Sequence, residues 1–416
     1  MSGRWDGASV LAPGNKWQFF PSVAVAWKLH EESFIKNLPA ITVSKIRVGW
    51  GITGNSLIPP YQALGSISNL NYDFGSTVAI GYQIATPPNA DLNWERTAQL
   101  NIGYDFGFLR NRISGSIDLY SANTYDLLMD RTIPVVNGSN HVYFNIGQTK
   151  NKGIEILLST INISNKNFSW RTDITFSRNI NEIVELYNGK NDDIANRWFI
   201  GEPISVNYGY VYDGIWQNTP QDSALFRQYY GNTTYTLAGQ IRIKDLDTTG
   251  GYVFNSFDQK IRGSAFPDFI SGITNYITYK GFELSFFLYA RVGQTIGKAT
   301  PLLFGRYHDV AVDYWTPTNT TAEYPRPKSG VADTYMSSLG YQKGSFLKVR
   351  NISLKYNLPK NILAKVGISD FAVRVQLLNP FLFTKAVNID PDIYTTNPNL
   401  SSNGTKSFVI GVNVGF

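Results

Sequence analysis

The sequence predicts an all-β chain that forms an antiparallel transmembrane β-barrel wall, and three observations support this prediction. Apolar residues recur at every second position over many segments. Aromatic residues make up 14% of the 416 residues and 36 residues are glycine, whereas only 16% are charged. The connections between the periodic segments alternate between short and long. Together these features are typical of a wall with one apolar face and one wet face.

The C-terminal segment shows the two-residue period most clearly. Phe408, Ile410 and Val412 fall on one face of a predicted strand, and Asn413 and Gly415 fall on the other. The same pattern predicts about eleven strands, near residues 17–29, 41–54, 94–108, 112–122, 146–163, 168–186, 266–279, 282–292, 346–358, 371–382 and 406–416. A span of ~10 residues at ~3.3 Å per residue, tilted by about 45°, reaches about 23 Å, which matches the apolar band of an outer-membrane barrel.

The connections predict which end of each strand faces which side of the membrane. Short links lie at residues 30–40, 109–112, 164–167, 280–281 and 359–370. Long polar links lie at about 55–93, 123–145, 187–265, 293–345 and 384–405. Outer-membrane barrels have short periplasmic turns and long extracellular loops, so we expect this topology here. Since a closed antiparallel barrel needs an even number of strands, the odd count predicts a piece of a larger barrel.

The composition excludes several other classes of protein. With no Cys in the sequence, disulfide frameworks, Cys-ligated zinc and thiol nucleophiles are absent, and the three His residues, His30, His141 and His308, show no ligand spacing. A net charge of +6 is too small to indicate nucleic-acid binding. The sequence contains neither an apolar run long enough for a membrane-spanning helix nor an export signal at its start.

A series of short motifs resembles the SusC/RagA family of TonB-dependent outer-membrane transporters of Bacteroidetes. The matching segments are RWDGAS (4–9), FPSV (20–23), EESF (31–34), IRVGWGITGN (46–55), NADLNWE (89–95), NIG (145–147), NKGIE (151–155), YGYVYDGIWQ (208–217), KDLD (244–247) and LKVRNI (347–352). The resemblance covers essentially all of residues 1–416, but only the C-terminal part of a family barrel of 22 strands. The family's signal peptide, TonB box and plug have no counterpart in the sequence, so we expect a C-terminal barrel portion.

The resemblance implies a multi-pass β-barrel in the bacterial outer membrane that imports a nutrient and catalyses no covalent reaction. The implied cargo is a glycan oligosaccharide, with peptides as the alternative. The implied partners are a SusD-like surface lipoprotein, the TonB-ExbB-ExbD complex acting through the missing N-terminal part, the barrel-assembly machinery and membrane lipid, but no nucleic acid. Two other hypotheses stay open: a non-transporting surface protein for glycan binding or adhesion, and a soluble secreted β-sandwich acting on glycans.

Aromatic residues in the long loops are the candidate substrate-binding residues. Flat rings stack on sugar rings or grip a peptide. The candidates are Tyr229, Tyr230 and Tyr235 in one loop and Tyr307, Trp315 and Tyr324 in another. The alternative is that these rings pack within the loops or contact the lipoprotein.

A weak calcium motif is the one cofactor candidate. Asp245 and Asp247 stand at the first and third positions of a loop with Gly250 at the sixth, as in a calcium loop. Ser256 occupies the twelfth position, where a calcium loop has a bidentate Glu, so a solvated turn is the favoured alternative. No catalytic residues are predicted, because carboxylates that are merely adjacent in sequence, in or near polar loops, do not establish the facing geometry that glycoside cleavage needs.

The terminal Phe416 resembles the C-terminal signal that the barrel-assembly machinery recognises. We therefore predict that Phe416→Asp lowers the yield of inserted protein, because a charge replaces the apolar ring on the lipid-facing side of the last strand. The yield is measured as heat-modifiable barrel in outer-membrane fractions. An unchanged yield would contradict the assignment.

Overall fold

The main element of the chain is one large antiparallel sheet. The computed structural model describes residues 1–247, 251–298, 311–363, 367–387, 389–393 and 404–416. In this part of the chain twelve strands follow one another in chain order across the sheet. They are β1 (Ser2–Gly7), β2 (Trp17–Lys28), β3 (Ile41–Asn55), β4 (Glu95–Phe108), β5 (Ile113–Tyr125), β6 (Gln148–Ser164), β7 (Phe168–Glu185), β8 (Phe269–Tyr279), β9 (Phe282–Val292), β10 (Phe346–Asn357), β11 (Asp370–Thr384) and β12 (Ser407–Gly415).

The eleven predicted strands correspond to β2 through β12, and the predicted number was one too low. The additional strand β1 has the sequence SGRWDG, which lacks alternating apolar residues, and only its antiparallel pairing with β2 identifies it. The strand number therefore no longer supports the prediction that the chain is a piece of a larger barrel. Within the described residues β1 and β12 lie at opposite ends of the strand order, and no backbone pairing joins them.

The predicted alternation of connections is confirmed. The short turns span residues 29–40, 109–112, 165–167, 280–281 and 358–369, with helices at Ser33–Lys36 and Lys360–Leu363 and a 3-10 helix at Leu29–Glu31. The connections at the other end of the sheet are 8–16, 56–94, 126–147, 186–268, 293–345 and 385–406. A wall built in this way presents nearly all of its non-sheet structure at one end.

The loops contain short elements of their own. Two-stranded sheets pair Ser66–Phe74 with Thr77–Thr86, Leu128–Thr132 with His141–Asn145, Val206–Tyr210 with Gln259–Ser264, Tyr212–Ile215 with Ile241–Ile243, and Thr295–Gly297 with Tyr341–Lys343. One helix spans Pro220–Tyr230, and 3-10 helices span Val135–Asn137, Ser256–Asp258 and Met336–Leu339.

The sheet has an apolar outer face that no other described element covers. On β4, Leu100 and Ile102 are 41% and 45% exposed, and on β12 Phe408 and Ile410 are each 62% exposed. A soluble protein would bury such alternating residues between layers. Among the described residues, no helix is long and apolar enough to cross a bilayer.

Aromatic side chains gather at both ends of the apolar face. At the short-turn end, Phe168 packs edge-on against Tyr279 at 6.4 Å between ring centroids, and Phe282 lies 4.4 Å from Tyr356. At the loop end, Trp5 packs against Phe19 at 5.3 Å. Two aromatic girdles around an apolar band are the mark of an outer-membrane wall, because aromatic rings favour the membrane–water interface.

The opposite face of the sheet is polar, and ion pairs join its neighbouring strands. Arg47 on β3 bonds Asp105 on β4 at 2.8 Å and reaches Asp118 on β5 at 3.0 Å. The guanidinium crosses β4 over Gly103, where a Cβ would lie only 2.6 Å from Arg47 Cζ. A glycine on the wet face therefore allows one arginine to join three strands.

A second glycine, Gly115 on β5, allows a close approach of the backbone. An ideal Cβ at this position would overlap the carbonyl oxygen of Leu157 on β6, whereas a Cβ at Gly411 on β12 would meet nothing within 4 Å. We predict that Gly115→Ala destabilises the sheet by about 1–3 kcal/mol, because the β5–β6 backbone must shift. Gly411→Ala is the matched control and should stay within about 0.5 kcal/mol. Urea unfolding of the heat-modifiable form measures both, and equal stabilities would refute the close approach.

Candidate functional site at the loop end of the sheet

The two longest loops fold together into one packed unit, which we call the loop body and which comprises the described residues of 206–264 and 311–345. Trp216 and Trp315 are buried in it, at 1% and 6% exposure. The indole of Trp315 donates a hydrogen bond to Oε1 of Gln217 at 2.8 Å, which ties the second loop to the first. The backbone N–H of Ile241 donates to Asp333, again between the two loops. Each loop therefore restricts the movement of the other.

The helix Pro220–Tyr230 organises the first half of the loop body. The Thr219 hydroxyl caps it by accepting from the Asp222 N–H at 3.2 Å, and Pro220 occupies the first turn. The Asp222 carboxylate also accepts from Arg242 at 2.9 Å. The helix directs Phe226 into the interior, while Tyr230 at its end stays 43% exposed.

The structure separates the predicted substrate-binding aromatics by burial. Trp315 and Tyr324 lie in the interior, at 6% and 9% exposure. Tyr235 is half-buried and donates to the Gln217 carbonyl oxygen at 2.6 Å, and burial raises the pKa of its phenol to about 12. Tyr307 lies outside the described residues.

An exposed group of rings surrounds Tyr229. Tyr229 stacks on Phe254 at 4.2 Å with an 11° interplanar angle, and it touches Tyr230 and Tyr252 at 6.4 and 5.2 Å. Tyr230 and Tyr252 are both accessible to solvent. We call Tyr229, Tyr230 and Tyr252 the aromatic patch. Sequence reasoning missed Tyr252, because nothing in the linear sequence places it beside the helix. A role of these residues in substrate binding stays a prediction.

The calcium candidates occupy a turn held mainly by backbone bonds. Asp258 is fully buried and accepts from the backbone N–H groups of Leu246, Asp247 and Asn255 at 2.7, 3.2 and 2.8 Å. The Tyr229 phenol donates to Asp245 at 3.0 Å, and burial together with this carboxylate raises the pKa of the phenol. Across the described residues, no group of three or more His, Asp and Glu side chains forms a metal-binding arrangement. Thr248 to Gly250 lie outside the described residues, so calcium binding stays a prediction.

Comparison with known proteins identifies the family. The family model for the TonB-dependent receptor-like β-barrel matches residues 1–258, more than half of the chain. The chain belongs to the TonB-dependent receptor β-barrel family. The predicted location in the outer membrane is thereby confirmed, and the relatives described next confirm the resemblance to SusC/RagA proteins.

Individual relatives give the same result. TonB-dependent receptor P3 of Formosa agariphila is 34% identical over 100% of this chain and 44% of its own length. SusC of Bacteroides thetaiotaomicron is 32% identical over 94% of this chain and 39% of its own length. The solved RagAB peptide importer in its closed-closed state superposes with a TM-score of 0.81 at 25% identity, covering 100% of this chain and 45% of that one. The chain thus spans less than half the length of these relatives.

In this receptor chain a buried charge cluster holds residues 389–393, the described middle part of the last long loop, against β10. The Lys348 ammonium on β10 lies 2.8 Å from Asp390 and 3.0 Å from Asp392, and Lys348 and Asp390 are both almost fully buried. Arg350 bonds Asp392 at 2.6 Å and stacks over the Tyr289 ring at 4.0 Å. We call Lys348, Arg350, Asp390 and Asp392 the loop anchor.

Only part of the loop anchor was visible in the sequence. Lys348 and Arg350 belong to the LKVRNI motif of the family resemblance, but sequence reasoning assigned them no role. Their carboxylate partners lie some forty positions further along the chain, at 390 and 392. Only the fold brings the two pairs together.

The last of the predicted site residues, Phe416, follows β12 at the chain end and is 96% exposed. Its recognition by the barrel-assembly machinery stays a prediction.

A substitution in the receptor's loop anchor tests whether the anchor holds residues 389–393 against the wall. Lys348→Met leaves the buried Asp390 carboxylate without a cation, while Asp392 keeps Arg350, and losing one member of a buried pair costs about 3–5 kcal/mol. We predict that residues 389–393 detach from the wall. A reporter cysteine at the partly exposed Ile393, in a chain without native cysteine, should then react with maleimide at least about tenfold faster, since about 1.4 kcal/mol corresponds to each factor of ten.

The matched control for the loop anchor is Lys355→Met on the same strand. Lys355 pairs with Glu283 at 3.5 Å in a solvent-exposed setting, and exposed ion pairs contribute about 0–1 kcal/mol. Its labelling rate should match that of the parent. Equal rates in the Lys348 and Lys355 variants would refute the anchor.

Proposed function

We propose that the chain forms the loop-bearing barrel wall of a TonB-dependent outer-membrane importer, which takes up an oligomeric nutrient and catalyses no covalent reaction. One observation supports this most directly. The sheet has an uncovered apolar face on one side and a polar face with ion pairs between strands on the other, and the folded loops lie at one end of it. Such a wall separates lipid from an aqueous passage and presents binding surfaces to the outside. The relatives are named as receptors and transporters, which agrees with this proposal.

We propose a glycan oligosaccharide as the cargo. The aromatic patch supports this choice, because sugar rings pack their apolar faces against exposed tyrosine rings. Tyr230 and Tyr252 stand 43% and 50% exposed at the loop end of the wall, where cargo would arrive. Peptides are the second candidate, supported by the fold similarity to RagAB, which is a peptide importer.

We propose a SusD-like surface lipoprotein as the partner at the loops. The hairpin of Ser66–Phe74 and Thr77–Thr86 supports this, since it exposes apolar side chains on both of its faces. Phe74, Ile80 and Tyr82 are 69%, 67% and 68% exposed. Clustered exposed apolar residues of this kind mark protein-binding surfaces. Energy from the TonB complex would reach the wall through a part of the protein outside this chain.

Uptake by cells that carry the complete receptor gene tests the proposal. We predict that a fluorescent oligosaccharide enters these cells and that entry stops when TonB is deleted or the proton gradient is collapsed, because the import step draws its energy from the inner membrane. A receptor deletion complemented with the intact gene is the control. Uptake that persists without TonB would contradict an importer of this class.

The same assay distinguishes the two cargoes. Oligosaccharides and peptides of equal size are offered separately, and Tyr230→Ala is compared with Tyr61→Ala, an equally truncated exposed ring outside both the aromatic patch and the hairpin. Loss of one exposed stacking ring should weaken binding of the cargo to the isolated receptor by roughly three- to tenfold. A glycan cargo is contradicted if only peptides enter.

A further inference from the structure

The short turns of the sheet carry an unbalanced positive charge. Four neighbouring turns, at residues 109–112, 165–167, 280–281 and 358–369, contain Lys or Arg but no Asp or Glu. We call these four the basic turns. Their described cations are Arg110, Arg112, Lys166, Lys280 and Lys360, and all five are exposed. The fifth short turn, 29–40, differs because it includes Glu31 and Glu32.

Charge pairing within the protein does not account for these cations. Among the described ion pairs, none involves any of the five. Arg112 donates to the backbone oxygens of Ile161 and Asn162, which fixes its position but leaves its charge unneutralised. By contrast, Lys28 at the fifth turn bonds Glu31 at 3.0 Å. The charge of the basic turns is therefore available to an external anion.

The basic turns lie at the level of the membrane surface. They follow directly on the aromatic girdle that includes Phe168, Tyr279 and Phe282. The Lys280 ammonium lies 5.2 Å from the centroid of the Tyr279 ring, on the lipid-facing side of the wall. Long cationic side chains beside interfacial aromatics reach the lipid headgroups while their stems stay in the apolar region.

The two ends of the wall differ in the sign of their charge. The long loops contain slightly more Asp and Glu than Lys and Arg, and several of their cations are engaged in ion pairs, as Arg242 is with Asp213 and Asp222. The basic turns contain cations alone. A general excess of positive charge for solubility would not concentrate on the short-turn end.

We propose that the basic turns bind the phosphate groups of anionic phospholipids in the periplasmic leaflet of the outer membrane. Clustered Lys and Arg beside an interface attract anionic headgroups, and the attraction falls off within a Debye length. The occupant is phospholipid rather than the phosphorylated glycolipid of the outer leaflet, because the short turns lie on the periplasmic side. Binding there holds one end of the wall at a fixed depth while the loops at the other end handle cargo.

Lipid retention by the complete receptor tests this proposal. The protein is purified in mixed micelles containing equal amounts of phosphatidylglycerol and phosphatidylethanolamine, and the retained lipids are quantified by mass spectrometry. We expect phosphatidylglycerol to be enriched by about twofold or more in low salt. The turn variant, with Arg110, Lys166, Lys280 and Lys360 each changed to Gln, should retain the two lipids equally. Arg112 is left intact because it bonds the backbone of β6.

The matched control removes the same charge from the long loops. Lys190, Arg197, Arg227 and Lys260 are exposed loop cations, and changing all four to Gln should leave the enrichment unchanged. Heat-modifiable mobility reports folding in every sample. The proposal is overturned if the turn variant keeps the enrichment, or if the loop control loses it to the same extent.

A salt titration of the unaltered receptor tests the same proposal without any variant, and it remains informative if the turn variant does not fold. Raising the ionic strength from ~0.1 M to ~1 M shortens the Debye length from about 10 Å to about 3 Å. The enrichment of phosphatidylglycerol on the unaltered receptor should then fall to parity. Enrichment that is absent in low salt, or that is insensitive to salt, would overturn the proposal.

Discussion

The structure depends on one constraint: in the hydrocarbon of a bilayer, backbone N–H and C=O groups have no water to bond and must pair within the wall. Strand-to-strand pairing meets this need. The long ladder from β5 through β7 shows it, with β6 paired to both neighbours along nearly its whole length. Because paired strands project side chains alternately to the two faces, the same pairing creates an apolar outer face and a polar inner face.

Each face then follows from its surroundings. On the outer face, apolar residues and two aromatic girdles match the lipid and its interfaces. On the inner face, charge pairs such as Arg47 with Asp105 and Asp118 cross from strand to strand, and Gly103 leaves the space that the guanidinium needs. Beyond the bilayer the backbone is free to be irregular, and the described parts of the long loops there fold into short sheets, the helix Pro220–Tyr230 and a buried core of their own. The folded loops thus rest on a wall of continuously paired strands.

The sequence predicted the wall far better than the site. A two-residue apolar period depends only on near neighbours in the sequence, so the strands β2 through β12 could be predicted from it. The strand β1 could not, because it contains glycines and charged residues and lacks this period. The helix Pro220–Tyr230 has capping signals at Thr219 and Pro220 but sits among polar residues with little apolar period. Burial of Trp315 depends on Gln217 in another loop, and Lys348 depends on Asp390. Such pairings are set by tertiary packing that local patterns do not encode.

The orientation of the alternating side chains is the claim on which the account depends, and site-directed spin labelling of the complete receptor in lipid vesicles measures it most directly. Single cysteines at consecutive positions from Leu100 to Asp105 on β4 and from Phe408 to Asn413 on β12 carry the label. The account predicts that collision with lipid-soluble oxygen rises and falls with a period of two residues and peaks at Leu100, Ile102, Phe408 and Ile410. Oxygen accessibility that shows no alternation, or that peaks at Asn101 and Asn413, would contradict it.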